Sequence, residues 1–561
     1  MNKIKTIIWL ICLFICNYPV YAKGITPERI YLQTDKDLYL AGEMIWTKCT
    51  VTSPDGVPLS YSKVGYIELL NEQSPVAQSV IEITDYSGSG WMEIPPEVQT
   101  GNYRLIAYTK NMQNEGEEVY FEKFISIVNT FQNVINKEKI SLSVSEEKFS
   151  PKVGNTIELS SDKNNYSIRT NGKVILKNIP EDALSLSISI TGKESFGTPF
   201  ATNNILWEKD LKSIGNETST SSIIPELEGQ IITGKLVNTQ TGAVENNPDI
   251  FPIVAIPGNR IRVFGGNILE DGKIQFVTKR TNGYQQIATT LYDPNESTKY
   301  RINLESPFVS HSRKQIPHLY LDPQWHEPLL FRSIGLQSLI AFKSDSVDQL
   351  EGKSPFFLWE PDNTYILENY TKFSTMEDVV AEIFNFIRFR KINGKQFLSI
   401  FTDDRTGYAT GSTLVLLDGI PIFNHEDIFN YNPYLIKQVD IYRSRFVFSG
   451  NFYSGIVHFQ THNNDLPDYK MNESSELTNY PIIQGKRHFY MPKYNSEADR
   501  KNRLPDFRHT LLWNPEIEIN DQTSVEIPFT TSDYTGPFKI IIEGFTMKGE
   551  PIYARSEFIV E

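Results

Sequence analysis

The chain is written in short runs where apolar and polar residues alternate, and each run is stopped by Gly, Pro or Asp-Gly. ERIYLQTDKDLYLAGEMIWTKCTV (28–51) alternates, breaks at Ala41-Gly42-Glu43, and alternates again. A period of two places every second side chain on one face of a strand, so each run needs a second apolar sheet to cover it. The 31 Pro and 33 Gly are spread over all 561 residues, with Tyr, Phe, Thr, Ile and Val between them. That pattern predicts many short strands joined by turns. At roughly 150 residues per domain, the length allows three to five such units. An apolar content of 40% with 22% charged residues is that of folded protein rather than of a disordered tail.

The first residues read as an export signal. Lys3 and Lys5 precede an unbroken apolar run from Ile7 to Cys16, Pro19 breaks it, and Ala22 offers a small residue for cleavage. A helix of that run would rise about 15 Å, half of a bilayer core, so a spanning anchor is not expected. Ile15 before Cys16 argues against lipidation. Cleavage after Ala22 removes two lysines and no acids, taking the formal charge from −14 to −16. So acidic a chain is a poor nucleic-acid binder, because such binding rests on Lys and Arg neutralising phosphates. Cys12 and Cys16 leave with the signal. Cys49 is then the remaining thiol, which excludes an intramolecular disulfide.

Residues 24–130 read as one β-sandwich. The turn signal SPDG (53–56) and the strands VGYIELL (64–70), GWMEIP (90–95) and GNYRLIAYT (101–109) complete it. TDKDLYLAGEMIW (34–46) together with GNYRLIAYT resembles a macroglobulin domain. Residues 138–211 repeat the strand, turn, strand rhythm and are expected to form a second sandwich. The polar stretch 212–230 marks a boundary. GQIITGKLVNTQTG (229–242), RIRVFGGNILEDGKIQFVT (260–278) and YQQIATTLY (284–292) define a third unit over 228–305, similar to carboxypeptidase-regulatory-like modules. Residues 466–503 read as polar and irregular. Residues 504–561 alternate again, as a C-terminal immunoglobulin-like sandwich.

Residues 350–465 differ in kind. STMEDVVAEIFNFIRFRK predicts a helix over 374–391: Ser374 and Glu377 fit a capping box, and Val380, Ile383, Phe384 and Ile387 recur at helical spacing. The strand FLSIFTD (397–403), LVLLDGIPIF (414–423), a short helix at HEDIFNYN (425–432), IKQVDIYR (436–443) and GIVHFQTH (455–462) follow. This order resembles the plug of TonB-dependent outer-membrane receptors. The barrel that encloses such a plug needs about 22 strands of roughly ten residues. Only 99 residues follow His462, so that barrel is not expected in this chain, and no TonB box follows Ala22. The expected fold is mainly β and multidomain, with tandem immunoglobulin/macroglobulin-like β-sandwiches plus one α+β plug-like domain.

Candidate chemistry is sparse. Macroglobulin traps use a thioester of Cys with Gln three residues on. Cys49 is followed by Thr50-Val51-Thr52, so thioester-mediated protease trapping is excluded, and a core role is expected for this thiol. His458 and His462 are four residues apart on a strand, about 13 Å, too far for one metal. His425 opens a helix beside Glu426 and Asp427, where acids favour the dipole. Asp403-Asp404 reads as a turn. No nucleophile elbow, His-Glu-x-x-His, Walker loop or EF-hand loop occurs. Asp418-Gly419 suits a hairpin turn. With Pro421 and the tryptophans Trp46 and Trp91, it forms the set of candidate interaction residues. No cofactor or metal is expected. The resemblances imply a non-enzymatic binding or scaffold protein, exported to the periplasm or outer membrane. Its partner would be an envelope protein, with a separate β-barrel as one candidate. A surface glycan or matrix adhesin, and an enzyme with an unrecognised site, are the alternatives.

Overall fold

The computed structural model describes residues 26–561 except 73, 133–139, 142–156, 194–222, 293–298, 322, 342–359, 403–412, 449–450 and 520–523. The export signal, Asp403-Asp404, Trp207, Trp359 and most of 138–156 therefore lie outside the described residues.

The strands between Arg29 and Val128 form the two sheets of a first sandwich. Strands Arg29–Thr34, Met44–Thr52 and Ser87–Glu93 form one sheet. Leu38–Leu40, Phe121–Val128, Gly101–Tyr108, Val64–Leu70 and Pro75–Glu82 form the other. Along Met44–Thr52, Ile45, Cys49 and Val51 enter the shared core with Leu32, Tyr66 and Leu105. Trp46, Lys48 and Thr50 take the opposite face of the same strand.

The two sandwiches expected at 138–211 and 504–561 are a single sandwich. One sheet has the order Glu158–Ser161, Asn171–Lys177, Ser524–Thr530. The other has the order Asn165–Tyr166, Pro551–Val560, Gly536–Thr546, Ala183–Gly192, Thr510–Asn514. The central strand Ala183–Gly192 thus hydrogen-bonds on both sides to strands more than three hundred residues away. Its Leu186, Ile188 and Ile190 pack with Phe538, Ile540 and Ile542 in one core. Neither segment has strands enough to cover its own apolar face, so each completes the other. Alternation is a local signal and does not name the partner strand.

The strands between Gln230 and Leu304 form two sheets, one of which borrows an edge. The sheets of this third unit are Asn267–Ile268, Lys273–Thr278, Gln230–Asn238, Tyr300–Leu304 and Val263–Gly265, Phe251–Ala255, Gln286–Tyr292, Glu476–Asn479. The last strand comes from the stretch read as irregular. It is four residues long and mostly exposed, so no apolar alternation betrays it. Tyr480 and Ile482, just beyond it, complete this core.

Between these two halves lies the α+β unit. Its mixed sheet runs Asn363–Ile366, Ile436–Tyr442, Ile456–Thr461, Leu414–Leu417, Ile420–Pro421, with the third and fourth strands parallel. The helix expected over 374–391 ends early: it spans Met376–Glu382, and Ile387–Ile392 is a strand. The N-cap is Thr375, whose side chain accepts from the Asp378 N–H, not Ser374. Asn393 and Gly394, at φ 49° and 87°, make a two-residue hairpin turn that pairs Ile387–Ile392 with Lys395–Ile400. Ile387 and Phe389 face in while Arg388 faces out, a period of two that the helical reading of Ile383 to Ile387 had masked.

The order is therefore nested rather than tandem. The split sandwich is interrupted by the third unit, and the third unit by the α+β unit. Two crossings seal the nest against the first sandwich. On the outward one, Phe308 enters the first core and the helix His326–Ala341 seats Leu329 against Leu38, Leu40 and Val128. On the return, the Gln484 N–H donates to the Val80 carbonyl at 2.8 Å.

Candidate functional site

The Asp418-Gly419 turn is built into the interior. Leu414–Leu417 is fully buried, and the chain reverses through φ 48° at Asp418 and 84° at Gly419. The Asp418 carboxylate, 0% exposed, accepts from Thr461 N–H at 2.7 Å, Thr461 Oγ1 at 2.7 Å and Leu466 N–H at 3.0 Å. Its own carbonyl accepts from Gly258 N–H at 2.7 Å, which joins the α+β unit to the third sandwich. A Cβ on Gly419 would stand 3.1 to 3.3 Å from the carbonyl oxygens of Ile256, Gly258 and Arg260. Glycine is needed there for both its torsion and its size. Pro421 is buried as well. All three residues are buried, and Asp418 and Gly419 join two units.

The histidines are spent in the same way. His458 Nε2 accepts from Gly419 N–H at 3.0 Å, and burial lowers its pKa to about 3. His425 Nδ1 accepts from Leu398 N–H at 3.0 Å, and burial lowers it to about 4. His462 is exposed. Cys49 lies in the first core, where burial pushes the thiol up to about 12. Among the described residues no three or more His, Cys, Asp or Glu are grouped to hold a metal.

Trp46 and Trp91 are cross-strand partners and are covered by the return crossing. The Phe489 ring meets Trp46 edge-on at 5.7 Å. The Arg487 guanidinium lies 4.7 Å over the Trp91 ring, whose Nε1 donates to the Gly485 carbonyl at 3.4 Å.

Trp46 also opens onto a cleft of about 600 Å³ where the first sandwich, the split sandwich, the helix His326–Ala341 and the return crossing converge. Leu336, Ile340, Phe489, Tyr490 and Tyr494 form its walls, with Ile340 and Tyr490 about half exposed, at 50% and 47%. Its floor is the polar part of TDKDLYLAGEMIW. Glu43 receives Arg332 at 2.7 and 3.1 Å and Lys36 at 3.1 Å. Burial alone would raise its pKa, but these two cations outweigh burial and hold it far below the usual carboxylate range. Asp35 accepts from Tyr39 OH at 2.8 Å, Trp46 N–H at 3.1 Å and Thr510 Oγ1 at 3.0 Å. Asp35 thus pins the split sandwich to the first, and Glu43 pins the helix. Asp506 holds Arg508 at 2.8 Å and Asp533 holds Arg169 at 2.6 Å. Sequence reasoning selected Trp46 but passed over Asp35, Lys36 and Glu43. The signal was present: these three stand, with Asp37, as the charged residues of a run otherwise built for burial.

No family model matches the chain, and no curated protein matches it. Among solved structures, Escherichia coli alpha-2-macroglobulin activated by porcine elastase is similar over 95% of this chain and 44% of its own, at 10% identity and a TM-score of 0.24. Salmonella alpha-2-macroglobulin reacted with methylamine is similar over 96% and 40%, at 9% identity and 0.24. The Escherichia coli adhesin FdeC is similar over 49% and 63%, at 12% identity and 0.15. This chain spans less than half the length of the two macroglobulins.

Proposed function

We propose that the chain is an exported, non-enzymatic binding or scaffold protein of the cell envelope, and that the junction cleft receives a segment of a partner protein. One observation carries this reading. The cleft's floor charges are matched to one another, while Ile340 and Tyr490 in its walls stand about half exposed. Matched, immobile charges suit recognition. A catalytic carboxylate or base needs a proton to gain or lose, and Cys49, His425 and His458 are buried in structural roles. The volume is in the range of sites that take a small ligand or a few anchoring side chains. An accessory role beside an outer-membrane transport or assembly complex is the form of scaffold the plug-like unit suits.

The test is affinity capture of the tagged native protein from gently solubilised envelopes, beside an Ile340→Glu, Tyr490→Ala variant. Both positions are half exposed, so the variant keeps the fold, which circular dichroism verifies. A stoichiometric envelope protein captured by the native chain and lost by the variant supports the reading. Capture of nothing, or equal capture by both, contradicts it.

A further inference from the structure

Three Asn-Gly pairs occur in the chain, at Asn171, Asn282 and Asn393. Such a pair can modify itself. The glycine nitrogen attacks the asparagine Cγ, ammonia leaves, and water opens the cyclic imide at either carbonyl to give aspartate or isoaspartate. Glycine permits the attack because it has no Cβ in the way. The fold decides whether it happens: the glycine N–H and the carboxamide must be unbonded, and the backbone between them must be able to turn.

Two of the pairs are held. Gly172 is buried in the strand Asn171–Lys177 and paired with Phe529; a Cβ on it would stand 2.6 Å from the Phe529 ring. At the second pair, Asn282 Nδ2 donates to Glu82 Oε2 at 2.8 Å, and the Gly283 N–H donates to the Ile483 carbonyl at 2.9 Å. The third pair is different. Asn393 and Gly394 are the two central residues of the hairpin turn, a position that the ladder leaves without a backbone bond. Residues 391–395 are all exposed. Among the described residues neither the Asn393 side chain nor the Gly394 N–H makes a hydrogen bond. A Cβ on Gly394 would meet nothing within 4 Å, so nothing hinders the swing of the amide.

We propose that Asn393 is a site of self-modification, converting to aspartate and isoaspartate at the hairpin tip. Aspartate places an acid beside Lys391, and isoaspartate adds a backbone methylene to a two-residue turn. The base of the hairpin is anchored: Ile387, Leu398 and Ile400 lie in the core of the α+β unit, and Phe389 meets Phe429 edge-on at 5.0 Å. The chain therefore ages into a second charge form with its fold kept. The inference stands apart from the junction cleft.

The test is incubation of the full mature protein in mildly alkaline buffer, folded or unfolded in urea, with mass-spectrometric peptide mapping at each Asn-Gly. In the folded chain, conversion at Asn393 should outrun that at Asn282 roughly 100-fold, because two hydrogen bonds must break at Asn282 and each costs roughly tenfold. In the unfolded chain the three should convert alike. On isoelectric focusing an acidic form should accumulate, and it should be missing from Asn393→Gly, which keeps the positive φ of the turn. Conversion at Asn171 or Asn282 as fast as at Asn393 in the folded chain would overturn the proposal. So would an Asn393 that stays intact in the folded chain.

Discussion

Replacing Asp418 by Ala tests whether the Asp-Gly turn is a weld or a contact. The carboxylate is fully buried and accepts three hydrogen bonds. Its removal leaves the N–H groups of Thr461 and Leu466 without this acceptor, at roughly 1–3 kcal/mol each. Alanine at φ 48° adds about 1 kcal/mol, because it lacks the short polar side chain whose local hydrogen bonds let Asp tolerate the left-handed region. Relief of the cost of burying a carboxylate offsets part of this. The net is a loss of about 3 kcal/mol, confined at first to the α+β unit and its seam with the third sandwich. A body of several units does not unfold in one step, so amide hydrogen exchange is the assay. Val439 and Phe459, central in the sheet, should exchange roughly 150-fold faster in the variant. Asp418→Asn, which tolerates the torsion and keeps one acceptor oxygen, should fall between. A change under about fivefold in Asp418→Ala would refute the reasoning. Loss of a bound partner at unchanged exchange would restore Asp418 to the contact surface.

Three other perturbations follow from the same geometry. His311, on the outward crossing, bonds Glu68 through Nε2 and Glu117 through Nδ1, each at 2.8 Å. Burial lowers its pKa, but the two carboxylates outweigh burial and raise it. Its contribution is therefore complete below the unfolded value of 6.5 and lost as pH rises through the higher folded value. Melting between pH 6 and 8.5 should show this loss in the native chain and not in His311→Asn. Lys48 is 1% exposed, and its Nζ has no hydrogen-bond partner among the described residues. Burial lowers its pKa from 10.5 to about 8, a penalty on the order of 3 kcal/mol. That penalty is present in full below pH 8 and fades toward 10.5. Lys48→Met should accordingly be the more stable protein at pH 7, with the gap closing by pH 10. A less stable Met variant at pH 7 would show the amine to be paired. Cys49 should resist iodoacetamide in the native state at pH 8 and react on denaturation, because burial holds the thiol near 12. Labelling of the native chain at the rate of a free thiol would contradict its place in the core.

Legibility followed the range of the signal. The first sandwich was visible because Ile45, Cys49 and Val51 alternate with Trp46, Lys48 and Thr50 inside one strand, and its neighbouring strands lie close in the chain. The split sandwich was visible as strands and invisible as one body. Its alternation is equally clean, but nothing in Leu186, Ile188 and Ile190 names Ile540 and Ile542 as their cover. Serines 185, 187 and 189 look like a solvent face, yet all three are buried, and Ser187 Oγ donates to Gln33 Oε1 of the first sandwich at 2.9 Å. The helix expected over 374–391 failed where two periods overlap: Val380 to Ile387 fits 3.6, and Ile387 to Ile392 fits two. At Asp418 the turn was legible and its role was not. A carboxylate that caps two distant N–H groups has the same sequence as one that faces water.

Amide exchange along Ala183–Gly192 tests the nested architecture most directly. Both hydrogen-bonded neighbours of this strand come from residues beyond 509. Exchange is compared between the full chain and a chain ending at His509. The nested fold predicts strong protection of Ile188 and Ile190 in the full chain and its collapse in the shortened one, while Tyr66 and Leu105 of the first sandwich stay protected. Protection of Ile188 and Ile190 that survives the truncation would mean that the earlier segment folds by itself, and the account of one split sandwich would be wrong.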